Sequence, residues 1–167
     1  MDTGTETESN RNGETHGKGK GKGGEIMKVY LAARYSRNDE MRGVRDVLQA
    51  LGYEITSRWI EDLGGKYGQG SFTAEQLNGD PEYCERVARR DLEDIENADT
   101  VISFTSAENG GKGGRHVEYG LALGLGKRLV IVGPRENVFH TLPAVEWYPD
   151  WPRLVMAWSR VSATASR

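Results

Sequence analysis

Apolar residues along the chain come in short clusters separated by polar, glycine-rich stretches. Residues 27–33 (MKVYLAA) form a brief apolar run bounded by charge, which reads as a buried strand. From 37 to 51 the spacing becomes helical. Met41, Val44, Val47, Leu48 and Leu51 fall on one face, and Gly52 stops the helix. Residues 53–59 (YEITSRW) alternate and are rich in strand formers, predicting a second strand. Pro81 suits the first turn of the next helix, whose apolar face holds Cys84, Val87, Ala88, Leu92 and Ile95. Residues 100–104 (TVISF) and 128–132 (RLVIV) read as the third and fourth strands. Between them, residues 115–125 predict a short helix with Val117, Leu121 and Leu125 on one face. Residues 145–148 predict a fifth strand and 151–158 a closing helix. Loops fill 60–80, 105–114 and 133–143.

Strands alternating with helices predict an α/β fold. The expected form is a single-domain, flavodoxin-like or Rossmann-like, mostly parallel sheet of four or five strands with helices on both faces. In such sheets ligands bind beyond the carboxyl ends of the strands, where the strand order reverses. That rule gathers residues 33–37, 58–60 and 105–118 around one crevice. The long, glycine-rich loop at 60–80 is the natural candidate for a lid.

Composition refines this outline. Hydrophobic residues make up 37% of the 167, and the net charge is -3. Residues 1–24 hold no apolar side chain beyond Met1, so they cannot bury enough surface to offset their ordering entropy. They are expected to be a disordered tail, with one domain over 25–160 and a flexible C-terminus over 161–167. The near-neutral balance argues against a nucleic-acid polymer as partner. Lys18, Lys20 and Lys22 are offset by Asp2, Glu6, Glu8 and Glu14. Cys84 is the only cysteine, which excludes an internal disulfide and fits a reducing, cytoplasmic setting. No apolar stretch is long enough to span a membrane.

The segment 108–126 (ENGGKGGRHVEYGLALGLG) is the most informative. Its glycines let the backbone approach a ligand closely, and the helix that follows points free N–H groups at the loop. It lacks the Gly-Lys-Ser/Thr ending of a phosphate-binding Walker loop. It follows the third strand, so it is not a dinucleotide fingerprint either. Glu118 is expected in the first turn of this helix. There it is either a partner of the helix dipole or a carboxylate kept ionised for nucleophilic attack. His116 reads as a surface or interface residue. His140 has no second ligand at metal-binding spacing, so no metal site is expected. Ser103 and Ser106 show no triad arrangement.

The stretch GGRHVEYGLALGLGKRLVIVG (113–133) resembles the nucleophile motif of the nucleoside 2-deoxyribosyltransferase family. VYLAARYSR (29–37) is similar to that family's opening strand with its active-site tyrosine. RRDLEDIENADTVISF (89–104) is similar to its helix carrying an active-site aspartate, followed by the third strand. The three motifs run in the family's order from residue 27 to 158.

The resemblance implies a role for each matching residue. Glu118 is the nucleophile that attacks the anomeric carbon and forms a glycosyl-enzyme. Asp91 handles protons at the leaving base, and Tyr30 positions the nucleophile or the sugar. Asn137 corresponds to an asparagine supplied by a neighbouring subunit, and family members are homo-oligomers. The substrate is a nucleoside or nucleotide, with a free base as acceptor where the reaction is a transfer. No cofactor is implied.

Ala33, Arg34, Gly113 and Gly114 lie in the loops that face the substrate. Arg34, Arg58 and Arg115 fall at predicted strand ends and the helix start, where guanidinium groups suit a phosphate. That favours a nucleoside 5′-monophosphate, as in the nucleotide N-hydrolase branch of the family. The sequence departs from the family at Asn109, Gly110, Gly111 and Lys112, where some members carry a further acidic residue. Each residue also has a plainer reading: Tyr30 as core, Asp91 as a surface ion-pair partner, the arginines as scattered charge. A non-catalytic nucleotide or sugar-nucleotide sensor is the alternative from another class. Cleavage of a nicotinamide–ribose bond ranks below both.

Overall fold

The computed structural model describes residues 26–61, 73–106 and 113–165, with side chains through residue 160. The tail at 1–24 and most of the lid candidate lie outside these residues. Strands β1 (Lys28–Ala32), β2 (Glu54–Ile55), β3 (Thr100–Phe104), β4 (Arg128–Val132) and β5 (Val145–Tyr148) form one sheet. Its order is β2-β1-β3-β4-β5, and every neighbouring pair is parallel. This is the flavodoxin-like order, with its switch point between β1 and β3.

The helices are α1 (Asn38–Ala50), α2 (Ala74–Gly79), α3 (Pro81–Glu96), α4 (Gly114–Gly124) and α5 (Trp151–Ala165). The chain steps one way from β1 to β2, then the other way from β2 past β1 to β3 and on to β4. Right-handed crossovers therefore put α1 on one face of the sheet and α3 and α4 on the other. The centre of the sheet is dry: Val29–Ala32, Val101, Ile102, Phe104 and Leu129–Val132 are all buried. Continuous apolar strands are what burial on both faces requires. From α5, Trp151 packs against Phe104 of β3 and Trp158 against Tyr53 just before β2, with ring centroids 5.8 and 4.9 Å apart.

Several sequence expectations shift in detail. The second strand was expected over 53–59 but holds only Glu54 and Ile55. Beyond it the chain turns into a 3-10 segment, Arg58–Glu61. There Ser57 Oγ accepts the Leu31 N–H, and the Trp59 indole donates to the Leu31 carbonyl. Side chains thus replace the ladder that a longer β2 would have supplied. The expected loop at 60–80 contains α2, held by a capping box between Thr73 and Gln76. Helix α5 runs on to Ala165, so part of the expected flexible C-terminus is helical. Among the described residues, no helix is long and apolar enough to cross a membrane.

The helix faces also differ. Val117 and Leu125, expected to face the core, are 66% and 46% exposed, while Tyr119 and Ala122 are buried. Apolar residues occur all round α4, so periodicity alone does not choose its inner face. On α3, Leu92 is exposed and Asp94 is buried. The reason is an ion pair: Asp94 accepts from both the backbone N–H and Nε of Arg58.

Candidate active site

The site forms where β1 and β3 part. Tyr30, third in β1, is fully buried. Its hydroxyl reaches across to α4 and donates to Glu118 Oε1 at 3.0 Å. Helix α4 begins at Gly114, preceded by Gly113 at φ 89°. That left-handed backbone is open to glycine and strained for other residues. It lets the chain turn directly into the helix over the ends of β1 and β3.

Glu118 is the fifth residue of α4, one position further into the helix than expected. The helix starts at Gly114, not at Arg115, and Glu118 lies beyond the turn where the dipole is strongest. Its carboxyl environment is consequently not the ionising one foreseen. Burial, and after it the negative charge of Asp91, raise its pKa from the ordinary 4.5 to about 7. The Tyr30 hydrogen bond and the Arg115 charge offset part of it. Burial and the neighbouring Glu118 charge also push the Tyr30 hydroxyl well above its usual 10, so it keeps its proton and acts as a donor.

The second oxygen of Glu118 is the telling atom. Oε2 is inaccessible to solvent and has no hydrogen-bond partner among the described residues. A buried carboxylate oxygen without a partner is costly. Here it sits beside a second acid at the switch point of the sheet, where a ligand would complete it.

Around this pair lie three arginines. Arg115, at the start of α4, donates to the Phe104 carbonyl at 2.7 Å and pairs with Glu136. Arg34 follows β1 and Arg37 the next turn, and both charges bear on Arg115. With burial as the larger cause, they lower the Arg115 pKa, against the opposing effect of Glu136. Arg37 bonds the Thr105 carbonyl at 3.4 Å and holds Glu40 at 2.6 Å. Arg34 Nε is buried without a partner among the described residues.

The structure therefore brings together Tyr30, Glu118 and Asp91, with Ala33, Arg34, Gly113, Gly114 and Arg115 on the elements around them. Arg58 is engaged differently from the expected phosphate role. Its Nε bonds Asp94 at 2.6 Å and its NH2 bonds Glu93 at 2.9 Å. It ties the turn after β2 to α3. Within its own chain Asn137 caps the 3-10 segment Val138–Thr141 by accepting the Phe139 N–H, and its amide lies 3.2 Å from His140 Nε2. His140 is buried against Tyr119 and accepts the Glu136 N–H at Nδ1. Residues 109–112 lie outside the described residues. Arg37, Asp94 and Glu136 were not singled out from sequence. Asp94 follows Asp91 by one helical turn, the spacing that places both on one side of α3. Among the described residues, no group of three or more His, Cys, Asp or Glu is placed to hold a metal ion.

No protein-family model matches the chain, and no curated protein matches it. Among solved structures it is similar to the CMP N-glycosidase BcmB of Clostridium botulinum, with a TM-score of 0.50 and 16% identity. The match covers 81% of this chain and 98% of that one. The likeness is one of fold. It aligns nearly the whole of the neighbour with the α/β domain described above.

Proposed function

We propose that the protein cleaves the N-glycosidic bond of a nucleoside 5′-monophosphate, with Glu118 as nucleophile. The observation that carries this reading is the carboxylate itself. Glu118 is largely buried, oriented through Oε1 by a buried tyrosine, without a partner at Oε2 among the described residues, and close enough to Asp91 for their charges to interact. Two acids in different surroundings are what departure of a base from an anomeric carbon requires. The three arginines around the crevice favour a phosphate-bearing substrate over a bare nucleoside. The neighbour of the same fold, a CMP N-glycosidase, acts on a bond of this class.

Burial favours the proton on Glu118, so attack requires that proton to pass to Asp91, leaving Glu118 a carboxylate. Oε2 bonds to C1′ as the C1′–N bond breaks, and the departing base takes the Asp91 proton. Asp91, now a carboxylate, removes a proton from water. The water oxygen attacks C1′, the Glu118–C1′ bond breaks, and sugar phosphate leaves with Glu118 regenerated. Transfer to a second base follows the same first half, with the base replacing water.

Chromatography of nucleosides, deoxynucleosides and their 5′-monophosphates, with and without a second free base, tests the reading. Base released by the intact protein and not by Glu118→Ala supports it. A new nucleotide formed with the added base marks a transferase. Ligand bound but intact across the whole panel would favour a sensor and sink the proposal.

A further inference from the structure

Glu136 occupies a position made for an anion. It lies in the loop after β4, at the same end of the sheet as Glu118. Its Oε1 accepts the backbone N–H of Ser106 at 3.2 Å, just beyond the end of β3. Its Oε2 accepts from Arg115 and lies 3.9 Å from His116 Nε2. A backbone N–H and one guanidinium N–H converge on one carboxylate, with an imidazole nitrogen 3.9 Å away, the kinds of group that receive a phosphate monoester. The pair is well covered, with Arg115 and Glu136 side chains 10% and 18% exposed. The charges of Arg34 and Arg37 also bear on Arg115, and the buried Arg34 Nε has no partner among the described residues.

The backbone carrying Glu136 is fixed on both flanks. Gly133, at φ 112°, is pressed against Thr105, where an added Cβ would lie 2.5 Å from Oγ1 and 2.8 Å from the carbonyl oxygen. The Gly133 N–H bonds the Tyr148 carbonyl at 3.0 Å. At the far end the Glu136 N–H bonds His140 Nδ1 at 3.3 Å. A rotation of the Glu136 side chain alone would vacate the donors without moving the loop.

We propose that Glu136 is an exchangeable internal anion, holding Arg115 and the Ser106 N–H until a ligand phosphate displaces it. This rests on the nucleotide reading of the site and adds its regulation. In the empty protein Glu136 neutralises Arg115 and keeps it oriented. A phosphate must compete with a tethered carboxylate, so weak anions are rejected and a dianionic phosphate monoester is selected. After cleavage, the return of Glu136 to Arg115 helps expel the sugar phosphate.

Calorimetric titration of the full chain with inorganic phosphate tests this without any turnover. Glu136→Gln keeps the shape and removes the charge. It is expected to bind phosphate roughly tenfold more tightly than the wild type, the worth of a charge-assisted hydrogen bond that is no longer contested. Glu40→Gln removes an equal charge from Arg37 outside this cradle and is expected to change phosphate binding far less. Glu136→Ala serves as a second variant should the amide pair with Arg115. Unchanged or weaker phosphate binding in both Glu136 variants overturns the proposal, as does an equal gain in Glu40→Gln. Failure of the wild type to release base would remove the nucleotide reading while leaving the phosphate result to stand or fall alone.

Discussion

Replacing Glu118 by glutamine separates what the carboxyl group costs the fold from what it does in the site. Burial and the Asp91 charge raise its pKa from 4.5 to about 7. The folded protein therefore keeps this proton to a higher pH than the unfolded chain does. Between those values the folded state binds more protons, so stability falls as pH rises and stays lower above pH 7. At about 1.4 kcal/mol for each tenfold, the full effect is about 3 kcal/mol. Glutamine keeps the shape and an acceptor for the Tyr30 hydroxyl but cannot ionise. The stability advantage of Glu118→Gln should grow from below about 1 kcal/mol at pH 5 to about 3 kcal/mol at pH 8.5. Urea unfolding followed by tryptophan fluorescence at several pH values reads this directly. In thermal melts, at about 3 °C per kcal/mol for a domain of this size, the gap should approach about 10 °C at the alkaline end. Wild-type and variant stabilities running parallel from pH 5 to 8.5 would refute the reasoning, because the carboxyl group would then not be desolvated as the geometry requires. The same variant should lose base release, since an amide is no nucleophile.

The other perturbations act on the same network. Asp91→Asn removes the like charge, so Glu118 should ionise at lower pH. The pH-dependent stability gap to Glu118→Gln should shrink, while base release falls about 10²–10⁴-fold for want of an acid. Tyr30→Phe removes the donor to Oε1, so the acidic limb of the kcat/KM profile should move to higher pH. A limb that stays in place would mean the hydroxyl does not set the ionisation of Glu118. Gly133→Ala puts a methyl group within 3 Å of Thr105 at a left-handed φ. It should cost about 2 kcal/mol or more in urea unfolding, and a neutral effect would contradict the close approach.

The sheet was legible where strands are buried on both faces. Residues 29–32, 100–104 and 128–132 are continuous apolar runs, and the crossovers between them follow a fixed hand. The short β2 was not legible, because the hydrogen bonds from Ser57 and Trp59 to Leu31 depend on a fold already formed. Glu118, Tyr30 and Asp91 were proposed from their motifs, and the hydrogen bond between the first two spans 88 positions. The ionisation of Glu118 was misjudged. Sequence suggested a helix N-terminus, whereas the helix starts one residue earlier and burial is the largest influence on the carboxyl group. Arg58 read as a phosphate ligand because its buried partner, Asp94, looked like one more charge on a polar helix. Glu136 meets Arg115 across 21 positions of chain, a pairing that no local spacing encodes.

The central claim is that Glu118 becomes covalently attached to the sugar. A nucleoside 5′-monophosphate bearing fluorine at C2′ destabilises the oxocarbenium-like state and slows breakdown of such an adduct. Incubation with this compound, followed by peptide mass spectrometry, tests the claim. The account predicts release of base together with a fluorinated sugar phosphate on the peptide containing Glu118, absent in Glu118→Gln. Base released by a protein that stays unmodified, or that is modified at another residue, would contradict it.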